Sequence, residues 1–77
     1  MPILNQIQED VLVYIGIRHE LTKFRLDEVS LKPYRPHQIR TAINEMVDLD
    51  LISLVEHQIL YHLEPIFLEM FNDVAIL

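Results

Sequence analysis

The sequence predicts a mainly α domain with a small β-hairpin, in the order α-β-α-α-β-β-α, whose last helix pairs two copies. Three observations predict it. Ile39, Ala42, Ile43, Met46 and Val47 recur at three- and four-residue steps and so share one face of a helix. Further on, Ile52 and Leu54 alternate with Ser53, and Ile59, Tyr61 and Leu63 alternate with Leu60 and His62, the period-two pattern of a half-buried hairpin. Pro33, Pro36 and Pro65 punctuate the chain where a helix can begin but cannot run through.

The elements follow in order. Asn5 and Gln8 form a variant of the capping box, and Glu9 and Asp10 place negative charge at the positive end of the helix dipole. These signals start a first helix over about residues 6–20. Ile7, Val11, Tyr14, Ile15 and Arg18 form one of its faces, and Ile3 or Leu4, Leu12, Val13 and Ile17 much of another. A helix apolar on so much of its circumference is expected to be covered twice, by its own domain and by a partner. Gly16, the single glycine, costs about 0.5–1 kcal/mol relative to alanine in mid-helix and so marks a close helix crossing.

Residues 23–26 suffice only for an edge strand, and 27–31 for one or two turns of a second helix. Pro33 and Pro36 bracket a turn at Tyr34 and Arg35, and a third helix runs over about 36–49. Its polar face carries His37, Thr41, Asn44 and Asp48, flanked by Gln38 and Arg40. Asp50, which follows, tolerates a left-handed turn better than most residues. Glu56, His57 and Gln58 close the hairpin. Pro65 opens the last helix, over 65–77, where the stripe Phe67, Met70, Phe71 and Val74 is expected to form the dimer interface against the first helix of a second copy.

Composition sets the outer bounds. Residues 1–77 make one domain, divided into a core over 1–64 and the C-terminal helix, and a chain of this size buries only about 60–65% of its unfolded surface. Yet 51% of the residues are apolar and there is no cysteine for a disulfide, so a subunit interface is the economical expectation. Neither a long uncharged apolar run nor a secretory leader pattern is present, and the expectation is a soluble, cytoplasmic protein with no membrane partner. Net charge is −6, but its distribution is polarised. All six basic residues lie in the first 40 positions, whereas 41–77 hold seven acids and no Lys or Arg. The basic run Lys23, Arg25, Lys32, Arg35 and Arg40 coincides with the turn and the start of the third helix, where an anionic partner would need it.

The stretches FRLDEV (Phe24, Arg25, Leu26, Asp27, Glu28, Val29), RPHQIRTAINEMVDLDLISL (from Arg35 on) and ILYHL (from Ile59 on) resemble the winged helix-turn-helix transcriptional regulators, the group that includes MarR-, PadR- and ArsR-like repressors. The resemblance covers about half of the chain and consists of apolar positions and a turn. Two departures stand out: Asp50 where the family commonly has glycine, and Arg35 where it commonly has a Ser or Thr cap. The resemblance implies a dimeric DNA-binding protein whose third helix enters the major groove. Gln38, Thr41 and Asn44 would then meet base edges, Arg40 guanine or phosphate, and Lys32, Tyr34, Arg35 and His37 phosphates. Glu45 and Asp48 would repel the backbone, so the helix N-terminus should lead. The hairpin tip carries an acid and no basic residue, so no wing contact to DNA is expected.

Other chemistry is weakly encoded. His19, His37, His57 and His62 fall on four different elements, which does not make a metal site, and no cofactor is implied. The adjacent acids Glu9–Asp10 and Asp27–Glu28 point apart on a helix and read as helix-start charge rather than as an acid and base. No nucleophile constellation or phosphate loop is visible, and no enzyme is expected. The alternative expectation is a winged-helix protein-interaction module, in which the acidic, apolar C-terminal half docks another chain and DNA is never touched.

Overall fold

The computed structural model describes residues 3–18, 23–56 and 60–75. Three helices, α1 (Gln6–Arg18), α2 (Pro36–Asp48) and α3 (Pro65–Ala75), pack around a three-stranded antiparallel sheet of β1 (Lys23–Arg25), β2 (Ile52–Glu56) and β3 (Leu60–Leu63) in the order β1-β3-β2. β1 is an edge strand, as its length predicts. A single 3-10 turn, η1 (Leu26–Glu28), occupies the place of the expected second helix. That helix was expected over 27–31, but Val29 is already extended at φ −93° and ψ 111°, so the turn closes after one hydrogen bond, Val29 N–H to Leu26 O. A helix so short fixes several dihedrals for one bond and has little to propagate it.

The helix starts follow the local sequence closely. At α1 the capping box is complete: Asn5 Oδ1 accepts from Gln8 N–H at 2.9 Å, and Gln8 Oε1 accepts from Asn5 N–H at 3.0 Å. At α2 only the return half exists, with Gln38 Oε1 accepting from Arg35 N–H at 2.8 Å, because an arginine side chain has no acceptor to offer. Glu64 begins α3, its carbonyl accepting from Phe67 N–H at 2.9 Å and its own N–H donating to Leu51 O at 3.0 Å.

The end of α2 sets the direction of the hairpin. Asp50 takes a left-handed conformation at φ 61°. Its N–H donates to Val47 O and the N–H of Leu51 to Met46 O, both at 3.0 Å, which closes the helix with a Schellman motif and drives Leu51 into the core beside Met46. Aspartate here carries two penalties, a left-handed backbone and a negative charge at the negative end of the dipole. Asp50→Asn is therefore expected to stabilise by about 0.5 kcal/mol and Asp50→Gly by about 1 kcal/mol, read as higher urea midpoints at unchanged slope. Lower midpoints for both would mean that the aspartate side chain is being used.

The core is one cluster. Val11, Leu12 and Ile15 of α1 meet Ile39, Ala42, Ile43 and Met46 of α2, with Phe24, Tyr61, Leu63, Ile52 and Leu51 from the strands and the chain before them. Phe24 and Tyr61 are register partners across β1 and β3 and stack with centroids 5.4 Å apart. The expected alternation fails along β2. Ile52 is buried, but Leu54 is 45% exposed although it stays in register opposite Tyr61, and beyond it, where a bulge between Leu54 and Glu56 interrupts the register, Val55 is 48% exposed. Glu56 is still strand, and the rest of the expected hairpin turn, with Ile59, lies outside the described residues, as do His19 and the expected end of the first helix.

The largest correction concerns α3. Its stripe was expected to face a second copy. Instead Phe67 is 0% exposed and Met70 6%, both inside this chain's own core, with Phe71 packed on its flank, while Val74 is half-buried outside that cluster. The helix crossing marked by Gly16 is real and internal, since the Phe71 ring lies directly on that glycine. α1 is covered on two sides, as its composition predicts, but both covers, α2 and α3, belong to the same chain. No described helix is long and apolar enough to cross a membrane.

Candidate functional site

Four buried residues, Ile39, Ala42, Ile43 and Met46, fix the inner face of α2 and thereby define what it shows to solvent. The outward strip consists of His37, Thr41, Asn44 and Asp48, with Gln38 and Glu45 on the side toward α1 and Arg40 on the side toward the strands, and all are exposed. Lys32 and Arg35 are exposed in the turn before the helix. Positive charge therefore gathers at the N-terminal end of α2, where the helix dipole adds to it, and carboxylates gather at the other end. Glu45 is partly tied down, accepting from Gln8 Nε2 of α1 at 3.2 Å, whereas Asp48 has no side-chain hydrogen bond among the described residues.

Hydrogen bonds restrict what several candidate side chains can offer. Gln38 has committed one lone pair of its carbonyl oxygen to the helix cap, so its NH2 is the group left wholly free, a donor. Thr41 donates its hydroxyl to His37 O at 2.9 Å and can only accept from a ligand. Asn44 makes no side-chain hydrogen bond among the described residues and keeps both functions. Tyr34 departs from expectation: it is half-buried and its hydroxyl donates to Asp10 Oδ2 of α1 at 2.5 Å, so it braces the turn against α1 rather than facing an outside anion. Asp10 also accepts from Gln6 Nε2 at 2.8 Å.

Beside α2 lies a cleft of about 500 Å³, lined by Arg25, Leu26, Asp27, Val29, Ser30, Pro36, Ile39 and Arg40. It is lined by both Arg25 and Arg40, a grouping that spacing along the chain does not reveal, although Arg25 belongs to the basic run. Arg25 is bonded to Asp27 at 3.3 Å, but both side chains are more than half exposed and such a pair is worth at most about 1 kcal/mol. Arg40 has no carboxylate partner among the described residues. Its charge is felt by Tyr61, whose phenol is pushed up chiefly by burial and drawn back by Arg40.

Tyr34 titrates in the same sense. Its bond to Asp10, then desolvation and the carboxylate charge, hold the phenol above its ordinary value of 10.0. Groups with raised pKa values in the folded state contribute stability that is complete below the unfolded value, near 10, and lost as pH rises through the folded value. Stability is expected to decline above pH ~10, and Tyr34→Phe to make that decline shallower in urea titrations between pH ~9 and ~12. An equally steep decline in the variant would show that the Tyr34–Asp10 bond is not maintained in solution.

Comparison with protein-family models, with curated proteins and with solved structures finds no match for the chain.

Proposed function

We propose that the chain is a small winged-helix DNA-binding protein of the transcription-regulator kind, with the N-terminal half of α2 entering the major groove. The supporting observation is the outward strip of α2, which is polar, exposed, rigidly backed by core residues, and positive only at its leading end. In that pose Arg35, Lys32 and His37 meet phosphates, and Arg40 reaches phosphate or guanine. Gln38 as a donor suits the acceptors of guanine or thymine, and Thr41 as an acceptor suits the amino groups of cytosine or adenine. Asn44, with both functions available, suits the bidentate contact to adenine and carries most of the sequence preference.

The test is a titration of a mixed-sequence duplex at several salt concentrations. Binding is expected, with log affinity falling linearly against log salt at a slope near −3, about one unit per phosphate neutralised by Lys32, Arg35 and Arg40. Failure to bind at ~50 mM salt removes the proposal. One observation favours a second reading, a protein-interaction module: Leu54, Val55 and Leu68 are exposed in the half of the chain that also exposes Glu56, Glu69 and Asp73. That reading requires no DNA retention even at low salt.

A further inference from the structure

With Phe67 and Met70 of α3 buried inside the chain, one apolar surface left open, apart from that at Leu54, Val55 and Leu68, lies on the outer side of α1. Val13, Tyr14 and Ile17 of α1, with Leu31, line a groove of about 350 Å³ that Asp10, Arg18, Lys32 and Tyr34 also line. Ile17 is 65% exposed, and Tyr14 is held flat under Arg18, whose guanidinium carbon lies 4.7 Å from the ring centroid. The order of charges along this face decides what fits it. Asp10 stands four residues before Tyr14 and Arg18 four residues after it, so along α1 the face is acidic at one end, apolar in the middle and basic at the other, with Lys32 adding a further cation from the turn beside it.

We infer that this face pairs with the same face of a second copy, α1 against α1 in antiparallel sense, about a two-fold axis near Tyr14. Such an axis exchanges the two ends of the helix. Each Asp10 then lies beside the Arg18 of the other copy, while the two Tyr14 side chains meet at the axis and Val13 and Ile17 pack to either side of them. Parallel pairing would set like charges against each other at both ends. Asp10 keeps a role inside each copy as well, since the Tyr34 hydroxyl it accepts fixes the carboxylate at the groove margin before any partner arrives. The pairing does not depend on DNA.

Sedimentation of the full chain at ~100 μM and ~100 mM salt is expected to give a dimer, and Ile17→Glu to weaken association about 100-fold or more, because it sets a charge in the apolar centre. A monomeric wild type, or an unweakened Ile17→Glu dimer, overturns the inference. The charge order supplies a second test. Asp10→Lys and Arg18→Glu each make both margins repulsive, so each variant alone should be monomeric, yet the two mixed in equal amounts should associate, since Lys then faces Glu and Arg faces Asp. No association on mixing overturns the antiparallel arrangement. Should Asp10→Lys not fold, the absence of native cysteine permits a direct check. Val13→Cys should link two copies through a short bis-maleimide and Leu68→Cys, on the outer face of α3, should not; the reverse pattern overturns the inference.

Discussion

Gly16→Leu is expected to detach α3 and lower the unfolding free energy by about 3 kcal/mol or more, a large share of the roughly 4–12 kcal/mol a domain of this size possesses. A Cβ at this position would stand 2.5 Å from Cε1 and 2.7 Å from Cγ of Phe71, and closer still to Cδ1, so even one methyl group cannot enter unless the ring leaves. Alanine isolates the cause. It is the better helix former by about 1 kcal/mol, yet Gly16→Ala should destabilise by about 1–2 kcal/mol, because the overlap outweighs the gain in propensity. In a Phe71→Ala background the overlap is gone, and the same substitution should stabilise by about 0.5–1 kcal/mol. The measurement is a double-mutant cycle in urea at neutral pH, and the decisive feature is the change of sign. If Gly16→Ala stabilises in both backgrounds, α3 does not rest on Gly16 in solution.

The features legible in the sequence are those set by near neighbours. The apolar spacing of α2, the Asn5–Gln8 box, the start at Pro65 and the left-handed Asp50 all depend on residues close together in the chain, and each stands in the structure where the residues place it. What was not legible depends on contacts between distant segments. The period of Phe67, Met70 and Phe71 shows that α3 has an apolar face but not which surface covers that face. Gly16 held the missing information, since a glycine in mid-helix next to no turn calls for a close neighbour, and a segment of the same chain reaches it at a far higher effective concentration than a second copy does. The candidate site divides in the same way. The exposed strip of α2 follows from helical periodicity, whereas the Tyr34–Asp10 bond spans 24 positions and the grouping of Arg25 and Arg40 around one cleft depends on how η1 folds over α2. The Gln38 cap is by contrast a local feature, since a glutamine three residues after the cap position reaches back to its N–H whatever side chain stands there.

Arg35→Glu combined with Arg40→Glu is expected to reduce affinity for duplex DNA on the order of 1,000-fold at ~50 mM salt and to flatten the salt slope by about two units. Both guanidinium groups are exposed at the leading end of α2, and neither has a carboxylate partner among the described residues, so reversal replaces two unpaired cations with two anions at the approach to the phosphates. The fold should be indifferent to the change. Arg35 caps α2 through its backbone N–H, which glutamate retains, and a surface substitution without partners is worth within about 0.5 kcal/mol, so the melting temperature is expected to hold. A general loss of attraction by an already acidic protein must be distinguished from loss of a contact. Arg18→Glu with Lys23→Glu changes the net charge by the same amount but alters the far end of α1 and the start of β1, away from the strip. Because Arg18→Glu also parts the proposed α1 pairing, both pairs of substitutions are compared in the monomeric Ile17→Glu background. If binding is governed by the α2 surface, this second pair should weaken it only about tenfold at the same salt, with a slope changed by less than one unit. Equal losses from both pairs would place the attraction in the overall field of the molecule, and α2 would then have no special claim to the groove.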